Sequence, residues 1–227
     1  MKKLLIGIVI LFLMQGSIQA QDSNHLWGAG FITAKIAPKW SIVADLQWRS
    51  RADFKQTNSV IIRPGINYHF NKNLSIAGGY AWIPVHMGDE LLPEHRTWEQ
   101  LIYTHQNKII GNKQTSFTHR LRLEQRWIPT GLAGDGPDHR YANRGRYFIR
   151  TLTPLFAPTL KEKTFFLSIQ NEVFMNFKGK NFDQNRAYFA AGYRFHSKLD
   201  GEMGYMRIHA GNQVHRNILQ VAGYLRL

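Results

Sequence analysis

Thr115-Ser116-Phe117-Thr118-His119-Arg120-Leu121-Arg122-Leu123-Glu124-Gln125-Arg126-Trp127 is the stretch that decides the fold. Phe117, Leu121, Leu123 and Trp127 fall on one parity, and Arg120, Arg122, Glu124 and Arg126 on the other. Side chains of an extended chain alternate between two faces, so a period of two describes a strand with one oily face and one ionic face. Outward from it, the same alternation recurs. Val60, Ile62, Pro64, Ile66, Tyr68 and Phe70 oppose Ile61, Arg63, Gly65, Asn67 and His69. Phe165, Leu167, Ile169, Val173, Met175 and Phe177 oppose Ser168, Gln170, Glu172 and Asn176. Ala187, Phe189, Ala191, Tyr193 and Phe195 oppose Arg186, Gly192 and Arg194.

A soluble β-sandwich alternates too, so alternation alone does not choose. Three features do. The strands are long against the 5–6 residues usual in soluble domains. Trp40, Trp48, Phe70, Tyr80, Trp82, Trp127 and Phe177 sit on the apolar face near strand ends, as in the aromatic girdles of membrane barrels. Finally, the polar face carries arginines that a dry core cannot bury but a wet lumen can, with Glu124, Glu172 and Asp45 as partners.

Eleven candidate strands are legible: 26–37, 39–50, 59–70, 73–83, 95–105, 114–128, 140–156, 164–177, 184–196, 200–209 and 214–227. Bacterial single-chain barrels close antiparallel with an even number. The expected count is therefore ten, with 26–37 only partly in the wall, or twelve if one strand escapes notice. Two sets of turns alternate: 38–39, 71–73, 105–113, 157–163 and 196–200, then 51–58, 84–94, 129–139, 178–183 and 210–213. The first set, mostly short and rich in Lys and Asn, is expected in the periplasm and the second outside.

Met1-Lys2-Lys3, the apolar run Leu4–Met14 and Gln15–Ala20 have the layout of a cleavable secretory signal, giving domains 1–20 (signal) and 21–227 (barrel). No segment reaches 18 consecutive apolar residues, so no spanning helix is expected. There is no cysteine, which removes both a disulfide framework and a lipidated N-terminal Cys. Of 29 Lys+Arg, Lys2 and Lys3 belong to the signal, leaving 27 against 15 Asp+Glu. So basic a chain seeks acidic neighbours. After export these are lipopolysaccharide phosphates or anionic solutes, not nucleic acid. At the C-terminus Leu219, Val221, Gly223, Leu225 and Leu227 alternate to the last residue, against Arg216, Gln220 and Arg226. Such a strand suits recognition by the barrel-insertion machinery, with a terminal Leu where an aromatic is common.

Arg63-Pro64-Gly65-Ile66-Asn67-Tyr68, Pro93 through Leu101, His119 through Trp127, Asn171-Glu172-Val173-Phe174, Phe182-Asp183-Gln184-Asn185-Arg186 and Glu202-Met203-Gly204-Tyr205-Met206 form a set of blocks. With them, the chain resembles a family of uncharacterised exported Gram-negative proteins, a domain of unknown function whose members are expected to be outer-membrane barrels. The resemblance covers nearly the whole mature chain and implies a fold and a location. It implies no catalytic residue.

Three places in the sequence bring together residue types that could carry chemistry. His196-Ser197 is the one adjacent His–Ser pair, with no acid in sequence until Asp200, and reads as a turn rather than a nucleophile with its base. His86, Asp89, Glu90, Glu94 and His95 could be drawn as a metal site but lack a fixed ligand spacing. Gly131–His139 is glycine-rich without the strand-to-helix setting of a phosphate loop. The strongest candidates are the inward arginines Arg63, Arg120, Arg122, Arg126, Arg144, Arg146, Arg150, Arg186 and Arg194, with Asp45, Glu99, Glu124 and Glu172 as the inward carboxylates. The expectation is an all-β antiparallel transmembrane barrel in the outer membrane, non-enzymatic, with an arginine-lined narrow or plugged lumen and no cofactor or metal. A small anion-leaning channel is the alternative, and a lipid-modifying enzyme the third reading. Lipid, lipopolysaccharide, the insertion machinery and anionic solutes are the expected partners.

Overall fold

The computed structural model describes residues 22–227 except 53, 55, 88–89, 134–135, 180 and 212–213. The expected signal lies outside these residues. The rest is strand and turn: β1 (Asp22–Ala37), β2 (Trp40–Ser50), β3 (Thr57–His69), β4 (Leu74–Met87), β5 (Glu90–Ile110), β6 (Lys113–Ala133), β7 (Gly136–Pro154), β8 (Thr164–Asn176), β9 (Phe182–His196), β10 (Leu199–Ala210) and β11 (Val214–Arg226). Each pairs with its chain neighbour, and β1 closes on β11 to complete a barrel.

The number is eleven, not ten or twelve. Ten hairpin reversals leave β1 and β11 running the same way, and the closure is a parallel ladder from Asp22↔His215 to Thr33↔Arg226. Even parity is required only when every pairing is antiparallel; a parallel seam satisfies the backbone groups nearly as well. So Leu26–Ala37 is a full wall strand, bonded on both edges, to β11 and to β2.

Several expected loops are wall as well. The 105–113 turn shrinks to Gly111-Asn112, closing the pair Ile110↔Lys113, with Gly111 at φ +56° in a region open to glycine. The 84–94 and 129–139 loops are largely taken up by β4–β5 and β6–β7 pairing. β5 and β6 therefore reach 21 residues each and β7 reaches 19. The longest connection, 155–163, joins β7 to β8 at the end where short turns were expected. Loop length thus does not tell the two ends apart.

The faces sort as the alternation predicts. Ile62, Ile66, Leu121, Leu123, Phe165, Ile169, Phe189, Leu219 and Val221 are exposed on the outside, as are all seven aromatics named above. Outward rings cluster at both ends. Trp40–Tyr68–Phe70 and Phe165–Tyr193–Phe195 pack in tilted and edge-on contacts near the 38–39 and 197–198 turns. Trp127–Tyr141 and Phe182–His209–His215 make tilted contacts toward the opposite end. The outer wall is apolar, and the interior combines buried ionic groups with two apolar clusters, one around Trp27, Tyr188, Met206, Ile208 and Ile218 and one around Ile61, Ala77, Ala81, Ile83 and Trp98.

Candidate functional site

The interior is built by cross-strand pairing of charge. Register sets Asp45 opposite Arg63, Glu124 opposite Arg144 and Arg194 opposite Asp200, and each of these pairs is bonded. Longer arginines bridge further. Glu124, 1% exposed, receives Arg146 at 2.5 Å and Arg144 at 2.6 Å, with Arg96 at 3.6 Å. Glu172 receives Arg120 and Arg146, each at 2.8 Å. Glu94 is clasped through both oxygens by Arg96 at 2.7 and 2.8 Å and accepts Arg126 at 2.7 Å. Arg144 also reaches Asp183 at 2.8 Å.

Two further groups lie apart. Arg150 on β7 spans to Glu202 on β10 at 2.6 Å, and Tyr224 donates to the same carboxylate at 2.7 Å. Asp200 holds Arg194 through two bonds and Arg226 at 3.0 Å, at the end nearer the 197–198 turn. Bidentate guanidinium–carboxylate contacts are the stronger kind of ion pair.

Aromatic side chains complete the packing. Trp98 lies against the inward row Gly65–Gly79, where a Cβ on Gly65 would meet its ring at 2.5 Å. Phe174 has Arg144, Arg146 and Arg186 over its ring, at 5.1, 4.4 and 4.5 Å. Such cation–π contacts stabilise a desolvated guanidinium by up to about 2 kcal/mol.

A cavity of about 450 Å³ remains at the centre. That is within the 300–1,000 Å³ typical of small-molecule sites. Ten arginines line it: 49, 63, 96, 120, 122, 144, 146, 150, 186 and 216. Six are in ion pairs, with Asp45, Glu94, Glu124, Glu172, Asp183 and Glu202. Among the described residues, Arg49, Arg122, Arg186 and Arg216 have no ion pair. Arg122 bonds only Gln100 Oε1, at 2.6 and 2.9 Å, with its guanidinium over Trp98.

A family model described as "Protein of unknown function (DUF2490)" matches residues 24–218. The chain is a DUF2490 protein. Neither a curated protein nor a solved structure matches it.

Of the inward residues expected in this DUF2490 chain, Arg63, Arg120, Arg122, Arg144, Arg146, Arg150, Glu172 and Arg186 line the cavity, while Glu124 is buried beside it. Arg126 and Arg194 lie off the cavity, held by Glu94 and Asp200. Glu99 is a correction: it is exposed, with Gln125 donating to it at 3.0 Å, because Trp98 takes the inward position against the two glycines. Arg49 and Arg96 escaped sequence reading, although Arg49 shares parity with Asp45 and Gln47. Trp27, Phe148, Phe174 and Tyr188 also project inward, against the rule of an oily outer face.

The other motifs disperse or lie open. Glu94 turns inward while His95 bonds Tyr80 on the outside, so the drawn metal set does not converge, and Asp89 lies outside the described residues. No metal-competent cluster occurs among the described residues. Ser197 Oγ lies 3.2 Å from His196 Nδ1, and Glu162, from the 155–163 connection, lies 3.5 Å from His196 Nε2. The sequence gives no hint of that acid. His196 and Glu162 are 61% and 49% exposed, where bulk water rather than a preorganised site meets developing charge.

Proposed function

We propose that this protein is a non-enzymatic outer-membrane β-barrel whose lumen is narrow, hydrated and lined by arginine. The observation that supports this most is the inverted distribution of polarity. An apolar outer wall with aromatic clusters toward both ends suits a bilayer and its interfaces. Closure leaves no unpaired sheet edge, as hydrocarbon demands. Ion pairs such as Arg150–Glu202 cross the interior, so the lumen is partly filled rather than an open pore. Open aqueous channels are typical of barrels with 16 or more strands. Lipid and lipopolysaccharide surround the wall, and the insertion machinery places it.

On a density gradient of separated membranes, the protein is expected in the outer-membrane fraction, migrating faster on gels when unheated. Recovery as a soluble periplasmic protein would overturn the proposal. One observation favours a second reading, a small anion-leaning channel: four cavity arginines without a carboxylate would favour anions over cations.

A further inference from the structure

Arg186 stands directly opposite Glu172 in the β8–β9 register, yet the two form no ion pair. Glu172 Oε1 is taken by Arg120 and Arg146, and Arg186 lies instead over Phe174, toward Trp27. Arg49 approaches the same indole from β2, at 4.1 Å from its centroid against 5.3 Å for Arg186. Two guanidinium groups thus meet over one buried ring. Arg49 bonds only the neutral Gln47, at 2.8 Å; Arg186 Nε is buried without a hydrogen-bond partner, as is Arg49 Nε.

The carboxylates that border this space offer no relief. Asp45 is engaged by Arg63, Glu124 by Arg144 and Arg146, and Glu202 by Arg150 and Tyr224. Like charges brought together away from bulk solvent repel, and unpaired buried charge persists only where a counterion or water reaches it. The planar forks of two arginines match the oxygens of a tetrahedral oxyanion, each able to bind two of them. Gln184 and Gln220, both buried and on the cavity wall, add neutral donors.

We infer that Arg49 and Arg186, both packed against Trp27, form a binding site for a small multivalent oxyanion of the phosphate class. The inference rests on the proposed arginine-lined lumen and names its ligand. The site fits a free solute entering the lumen; a phosphate carried on a lipid would have to bring its acyl chains through a closed wall into a lumen crossed by ion pairs such as Arg150–Glu202.

Inorganic phosphate and pyrophosphate, titrated calorimetrically into the folded barrel in a zwitterionic detergent, are the probes. Saturable binding is expected, with pyrophosphate the tighter and acetate at least tenfold weaker. Arg49→Gln and Arg186→Gln should each weaken pyrophosphate binding at least tenfold, and Arg186→Lys less. Arg207→Gln, on the outer face, should leave it unchanged. Far-UV circular dichroism and the gel shift verify folding of each variant. If one glutamine variant does not fold, the other and Arg186→Lys carry the test. Absence of saturable binding by the folded wild type would overturn the inference, as would binding indifferent to Arg186→Gln or lost with Arg207→Gln. Binding only to micelles doped with an anionic phospholipid would also overturn it, by showing a lipid headgroup as the source. Failure of the barrel proposal is read separately, from fractionation and the gel shift.

Discussion

Glu124→Gln removes the charge on which three arginines converge while keeping nearly the same shape. Its carboxylate is 1% exposed and accepts from Arg146 at 2.5 Å and from Arg144 at 2.6 and 3.0 Å. An amide offers one acceptor oxygen and aims its NH₂ at a guanidinium that can only donate. Each charge-assisted hydrogen bond contributes about 1.5–3 kcal/mol, and breaking a buried pair by removing one partner costs about 3–5 kcal/mol. The lower end applies, because each arginine retains another carboxylate: Arg144 keeps Asp183, Arg146 keeps Glu172 and Arg96 keeps Glu94. We therefore predict a loss of about 3 kcal/mol, measured by equilibrium urea unfolding of the barrel in lipid vesicles. The double variant Glu124→Gln/Asp183→Asn strands Arg144 and should cost more than the two single changes added together. Glu99→Gln, on the outer face, should stay within about 0.5 kcal/mol of wild type. A Glu124→Gln barrel within about 1 kcal/mol of wild type would refute the idea that this carboxylate ties the interior together.

Three other outcomes are expected. Leu121→Arg, 57% exposed on the outer face, should destabilise the inserted barrel by about 2–4 kcal/mol near the midplane, as read by vesicle unfolding; normal insertion with a water-accessible cysteine at 121 would contradict the register. Gly79→Ala should cost more than the roughly 1–3 kcal/mol of ordinary overpacking, because its Cβ would lie 2.2 Å from the backbone oxygen of Pro64; unchanged urea unfolding would mean that Trp98 and the two glycines are not in this contact. The Ser197 amide donates to Glu162 at 2.9 Å, which holds that carboxyl below its ordinary range. A depressed carboxyl stabilises the turn above its unfolded value of about 4.3, and that contribution fades as pH falls through the lowered value. Amide exchange at Ser197 should therefore quicken, relative to neighbouring turns, only on acidification below about pH 4.3, and Glu162→Gln should remove this dependence.

Much of the wall was legible because β3, β6, β8, β9 and β11 keep their arginines and glutamates on one parity, although Ile61, Phe166, Phe174, Tyr188 and Ile218 share that inward parity with them. β5 was not, because its inward set mixes Glu94, Arg96, Trp98 and Gln100 with outward Thr97 and Glu99. Parity there is decided by the cavity over Gly65 and Gly79, a contact between strands that no single segment displays. Strand number failed for a similar reason: the parallel β1–β11 seam joins the two ends of the chain, and local alternation says nothing about it. The nine arginines were recognisable as inward, but their division into paired and unpaired was not. Arg186 has an acid opposite it in register and still forms no ion pair: Arg120 and Arg146 take Glu172 Oε1, and Arg186 lies over Phe174.

Ion selectivity in a planar bilayer tests the central claim most directly, because the charge of the lumen is what sets the two readings of the interior against all others. Across a salt gradient, an interior with four unpaired cavity arginines predicts either no conductance steps or small, anion-selective ones. Where steps occur, neutralising Arg122 and Arg186 together should erase the anion preference. Robust cation-selective conductance would mean that these arginines do not line the path, and would contradict both the narrow arginine-lined barrel and the anion channel.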